Sequence, residues 1–151
     1  MKAVIQRCTN ANVIADGKPA GKIDNGLLVL LGVNQFDTSY EAELLADKIV
    51  KLRIFTDEND KMNLSVKDVG GSILAVSNFT LCADCKKGHR PSFSHAMEPV
   101  MANKLYEEFC GHISSAGIEV GKGVFGADMQ VNINADGPIT IVLDTDIWSK
   151  K

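Results

Sequence analysis

With 151 residues, 45% of them apolar and 23% charged, the chain has the make-up of an ordinary globular protein, long enough to bury a core without staples. Its net charge of −3 excludes a broad electrostatic grip on nucleic acid. Any RNA contact must therefore be local, and DNA is not an expected partner. No apolar run approaches the ~20 residues of a membrane span and no charged-then-apolar leader opens the sequence, so a cytosolic protein is expected.

Residues 2–8, "KAVIQRC", alternate as an opening strand, and 12–23 read as a hairpin turning at Asp16-Gly17. Asn25-Gly26 is a second turn, which delivers the chain into an apolar strand over 27–33. Thr38-Ser39-Tyr40-Glu41 is a capping box. It opens a helix with Leu45, Ile49 and Leu52 on one face and Glu43, Asp47 and Lys51 on the other. Val69-Gly70-Gly71 turns into a long strand over 72–81, and the polar stretch 84–97 is the longest loop. Pro99 fits the first turn of a helix reaching about Ser115, with Leu105, Phe109 and Ile113 inward and Gly117 as its stop. "FGADMQVNIN" and "ITIVLDT" are two closing strands joined by Asp136-Gly137-Pro138. The pattern predicts one mixed α/β, strand-rich domain over residues 1–151.

Chemistry could reside at a few places. Ser77-Asn78-Phe79-Thr80 ends the second long strand, where alternation would put Ser77 and Phe79 on one face and Asn78 and Thr80 on the other. Polar groups there either bond to neighbouring backbone or meet a substrate. A Thr80 nucleophile would need a base; His89, His95 and His112 are not placed beside it by the sequence, and the carboxylates form no acid–base pair. Lys86, Lys87, His89 and Arg90 make a basic run, either a solvated loop or a clamp for a phosphate backbone. Asp128 is a candidate acid or a turn former. Cys8, Cys82, Cys85 and Cys110 read as thiols. Cys82 and Cys85 with His89 and His95 lack the ~12-residue separation of a finger-type zinc site. Neither a metal nor a cofactor is expected. Gly137-Pro138 is either plain punctuation before a strand or a tool.

"AVIQRC", "GLLVLLGV", "DKIVKLRIF", "KMNLSVKDVGG", "VSNFTL", "KKGHRPSF", "GVFGADM" and "DGPIT" resemble, in this order and over almost the whole chain, the D-aminoacyl-tRNA deacylase family. The resemblance implies a cytosolic homodimer that hydrolyses the ester joining a D-amino acid, or glycine, to the 3′ end of tRNA. It assigns the reacting position to Phe79 and Thr80, and substrate contacts to Ser77, Asn78 and Met129. Gly137-Pro138 matches a family Gly-cis-Pro pair that reaches into the partner subunit's site, and Arg7 an arginine that holds the pair. Lys86, Lys87 and Arg90 would touch tRNA. One position departs: Asn78 stands where the family has Gln, with the same amide one methylene shorter.

Such a proofreader must accept many D side chains and reject every L one. A pocket cannot do so, because one methylene changes binding by only ~1–3 kcal/mol. Chirality has to be read at Cα, by a rigid obstacle where an L side chain would point. Without an evident triad, an oriented water with backbone N–H groups near Phe79 and Thr80 is the expected catalyst, and Thr80 as covalent nucleophile is the alternative. Two other readings stand beside this one. The first is the sister group with a trans Gly-Pro pair, which removes L-alanine from the wrong tRNA. The second is an aminoacyl-tRNA binder that has lost activity through Asn78.

Overall fold

Apolar alternation carries the opening strand well past Cys8. In the computed structural model, which describes residues 1–149, β1 runs Lys2–Ala15 and turns at Asp16-Gly17 into β2 (Lys18–Ile23). Next come β3 (Gly26–Gly32), α1 (Ser39–Lys51), the small hairpin β4 (Phe55–Thr56) and β5 (Met62–Leu64), and β6 (Ser72–Ser77). A 3-10 turn at Phe79–Cys82 leads through the long loop to α2 (Pro99–Ser115), β7 (Val120–Lys122), β8 (Met129–Asp144) and α3 (Thr145–Ser149).

The two long helices begin as their caps dictate. Tyr40 N–H donates to Thr38 Oγ1 (3.2 Å) while Thr38 N–H donates to Glu41 Oε1 (2.9 Å), completing the capping box. At α2 the Glu98 carboxylate accepts from Val100 and Met101 N–H, and Pro99 occupies a first-turn position where its missing donor is not needed. Leu45 and Ile49 of α1, and Leu105, Phe109 and Ile113 of α2, are all buried.

β8 pairs antiparallel with β1 on both sides of a bulge; β1's other edge is shared by β3 over residues 2–8 and β2 over 11–15. β3, β6 and β7 then follow in parallel. The sheet curls towards a barrel, because β2 returns against β7: a Cβ at Gly21 would stand 2.4 Å from the Lys122 carbonyl oxygen. The result is the mixed, strand-rich α/β architecture expected.

Two corrections matter for function. The closing segment is not two strands joined by a turn. β8 is continuous, and Gly137-Pro138 sits inside it, in extra chain that accumulates between the pairs Cys8↔Ala135 and Gln6↔Thr140. Side chains change face across that bulge. Ile139, Ile141 and Leu143 pack with Ala3 and Ile5 on the main core beneath the helices, whereas Met129, Val131 and Ile133 pack with Ala11 and Val13 on a second apolar cluster.

Secondly, the strand over 72–81 stops at Ser77. Its last rung is Asn78 N–H to the Leu31 carbonyl (2.7 Å), after which the chain winds into the 3-10 turn. Residues 77 to 80 therefore do not alternate between sheet faces. The turn crosses directly over Gly32, where a Cβ would lie 2.8 Å from Leu81 Cβ and 3.3 Å from the Asn78 carbonyl oxygen. Only glycine admits that approach.

Candidate active site

The second apolar cluster is the floor of a cleft of about 940 Å³, within the range of small-molecule sites. Leu28, Leu30, Val76, Val131 and Ile133 line it, and Met129 projects into it from β8. Ser77, Asn78, Phe79 and Thr80 form one rim, so the strand end and Met129 meet at a single site. Phe79 is 56% exposed and meets Phe93 from the long loop edge-on, with centroids 5.0 Å apart. Gln6, Phe93 and Phe125 also line the cleft, although the sequence did not single them out.

Inside the rim, the Thr80 hydroxyl donates to Asn78 Oδ1, an amide oxygen with no capacity to act as a strong base. No histidine lines the cleft, and Asp128 is the one carboxylate among the described lining residues. Asp128 also shapes a turn: its N–H donates to Asp16 Oδ1 (3.2 Å) and its carbonyl accepts from Asp16 N–H (2.9 Å). His95 stands 3.4 Å from Asp84, away from Thr80's rim, beside a smaller pocket of about 410 Å³. Phe79 and Thr80 open the 3-10 turn, so their backbone N–H groups find no partner within it.

Other expected residues lie elsewhere. Lys86, Lys87 and Arg90 are exposed on the loop that the Asp84–Ser92 backbone pair closes, and none of them lines the cleft. Nor do Arg7, Gly137 and Pro138. The Gly137-Pro138 bond is cis, and both residues are exposed. Arg7 is 9% exposed; its Nη1 donates to the Ile54 carbonyl (3.0 Å) and to Thr56 Oγ1 (3.3 Å), and its Nε lies 3.3 Å from Asp136 Oδ2. Arg7 thus stands beside the Gly-Pro pair and outside the cleft lining.

The cysteines show why CxxC chemistry is a poor reading. Cys82 is buried, and desolvation pushes its thiol up, away from the thiolate a redox pair requires; Cys85 is exposed. Burial likewise raises Cys8, and Cys110 is pushed up to about 11. Among the described residues no three His, Cys, Asp or Glu side chains gather as a metal site, and no helix is long and apolar enough to cross a membrane.

Known proteins resemble this chain in both sequence and fold. The family described as D-Tyr-tRNA(Tyr) deacylase matches residues 4–144. A D-aminoacyl-tRNA deacylase of Thermosipho africanus is 54% identical over 96% of this chain and 97% of its own, and one of Clostridioides difficile is 52% identical over the same shares. A solved structure of a c-Myc DNA Unwinding Element Binding Protein superposes with a TM-score of 0.89 at 41% identity, covering 95% of this chain and 98% of that one. Identity of this order over nearly the full length, on a fold whose strand end and Met129 meet at one cleft, shows that the chain belongs to the D-aminoacyl-tRNA deacylase family.

Proposed function

We propose that this chain, acting as one deacylase domain in a homodimer, hydrolyses the ester of D-aminoacyl-tRNA and of glycyl-tRNA, and rejects L-aminoacyl-tRNA. The observation that carries the reading is the cleft itself. It is apolar on its floor, polar along the Ser77–Thr80 rim, and has no base beside the Thr80 hydroxyl. The aminoacylated 3′ nucleoside lies in it, with Phe79 and Phe93 offering aromatic surface to the base. Ser77, Asn78 and Met129 contact the substrate. Water attacks the ester carbonyl, assisted by the 2′-hydroxyl of the terminal ribose. The acyl C–O bond then breaks, the ribose 3′-oxygen leaves with the proton the water gives up, and the free amino acid is released. The oxyanion is held by the N–H groups of Phe79 and Thr80, donors that need no reorganisation. Lys86, Lys87 and Arg90 touch the phosphates further along the tRNA, and no cofactor takes part.

Gly137-Pro138 acts as the chirality gate in the cleft of the second subunit. Two features support this. The pair is exposed yet absent from its own cleft lining, and β8, whose only described strand partner is β1, leaves its outer edge open to another copy. A gate that excludes an L side chain has nothing to collide with in glycine.

Deacylation of D-Tyr-, Gly- and L-Tyr-tRNA at matched enzyme concentration tests the reading. D-Tyr- and Gly-tRNA should be cleaved and L-Tyr-tRNA spared. Cleavage of L-Ala-tRNA in preference to D-Tyr-tRNA would support the sister activity instead, and binding without turnover an impaired enzyme.

Thr80→Ala separates the two mechanisms. The backbone donors survive the change, and the hydroxyl already serves Asn78. Single-turnover rates should stay within about tenfold of wild type, well short of the ~10²–10³-fold cost of losing an oxyanion donor. A trapped ester on Thr80 would establish the covalent route.

A further inference from the structure

Arg7 connects the Gly-Pro turn to a part of the fold that has no other evident tie to the site. Its guanidinium meets Asp136 through Nε, and Nη2 lies 3.6 Å from where a Cβ on Gly137 would stand. The opposite side, Nη1, is held by the Ile54 carbonyl and the Thr56 hydroxyl. These two holds differ in firmness. Asp136 is 45% exposed and its carboxylate is not aligned as a hydrogen bond to Nε, so solvent screens that contact. The β4 side is anchored. Phe55 is buried in the main core, and the hairpin tip is closed by Asp57 N–H to the Lys61 carbonyl (2.8 Å), with the Asp57 carboxylate accepting from Asn59 and Lys61 N–H.

An irregularity between Phe55 and Thr56 breaks the register of this hairpin, of the kind that re-aims a side chain. Here Phe55 goes into the core while the Thr56 hydroxyl reaches Arg7. A single carbonyl would leave the guanidinium free to swing about one bond. A second acceptor on the same nitrogen fixes its plane, and with it the edge that faces Gly137.

We propose that Thr56 is a positioning residue for chiral discrimination: through Arg7 it makes the β4–β5 hairpin the abutment of the Gly137-Pro138 gate. The inference rests on the gate reading given above and adds a residue to it. Because Thr56 is exposed, replacing it removes nothing from the core.

The test compares wild type with Thr56→Val, which keeps the shape and loses the acceptor, and Thr56→Ser, which keeps the acceptor. The readouts are kcat/KM on D-Tyr-tRNA and L-Tyr-tRNA, and the thermal unfolding midpoint. Thr56→Val should lower the D-to-L ratio roughly tenfold, the order expected for one hydrogen bond from a charged donor. Thr56→Ser should restore the ratio, and the midpoints of all three should coincide. An unchanged ratio in Thr56→Val overturns the inference, and so does a lowered midpoint with the ratio intact, which marks a merely structural contact. Wild type failing to discriminate D from L would overturn the gate reading itself, and that arm is read before any variant.

Discussion

Replacing Asp37 by alanine is expected to destabilise the protein by about 3–5 kcal/mol, the range seen when one partner of a buried ion pair is removed. Asp37 Oδ1 lies 2.9 Å from the Met1 ammonium, whose second acceptor is Thr145 Oγ1 at 2.8 Å; the two charged groups are 0% and 4% exposed. Asp37 Oδ2 also accepts from Asn34 N–H (2.7 Å). Burial pushes the Asp37 carboxyl up, with the ammonium opposing that shift. The large cost arises because truncation strands a cation in a site closed to water. A control fixes the scale. Lys51 and Asp47 form an exposed i,i+4 pair on α1 at 2.8 Å, and Asp47→Ala should cost no more than ~0.5 kcal/mol. Denaturant titration of both variants decides the matter, and equal midpoints would show that the buried pair contributes nothing special.

Much of this architecture is written locally. Thr38 and Glu41 announce α1, Pro99 opens α2, and the apolar spacing of Leu105, Phe109 and Ile113 gives the buried face without any knowledge of what covers it. What escaped the sequence depends on distant partners. The apolar run ending at Ser77 reads as continuing to Leu81, and it stops because Gly32 of a neighbouring strand lets the 3-10 turn fold over it. Pro138 reads as punctuation between strands, yet β8 runs through it, because β1 offers pairs on both sides of the bulge. β7 is three residues long and exists by its parallel pairing with β6. Asp37, in a polar stretch before a helix cap, gives no sign that it will be buried against the amino terminus. The site shows the same division. Ser77–Thr80 and Met129 line one cleft. Gln6 faces the cleft from an alternating strand in which a glutamine reads as a solvent-side residue, and Phe125 faces it from a loop with no periodicity to read.

Gly137→Ala should produce the largest loss of function among single substitutions outside the cleft. Gly137 has φ of +121°, a region that L side chains rarely adopt. A Cβ there would lie 2.9 Å from the Ile139 backbone nitrogen and 2.8 Å from Ile139 Cγ1, whereas Arg7 Nη2, at 3.6 Å, is in ordinary contact. The collision is with main chain next to Thr140, whose pairing with Gln6 of β1 resumes the ladder, so the neighbour cannot swing aside as a surface side chain would. The turn itself must shift. The strain should cost about 1–3 kcal/mol of stability, and on the gate reading proposed above the shifted turn also displaces the obstacle in the partner's cleft. A misplacement of about 1 Å costs on the order of 10²-fold in rate where geometry carries catalysis, and a fall of that size is expected in kcat/KM on D-Tyr-tRNA. Rejection of L-Tyr-tRNA should weaken as well, because an excluding gate works only where it stands. Sedimentation of wild type and variant separates this effect from loss of the proposed dimer. A dimeric, stable Gly137→Ala protein with wild-type rate and D/L ratio would show that the pair is an ordinary bulge with no part in discrimination. If instead the variant is monomeric, and activity returns at concentrations that restore the dimer, the turn acts through subunit pairing, and its contact with substrate would have to be abandoned.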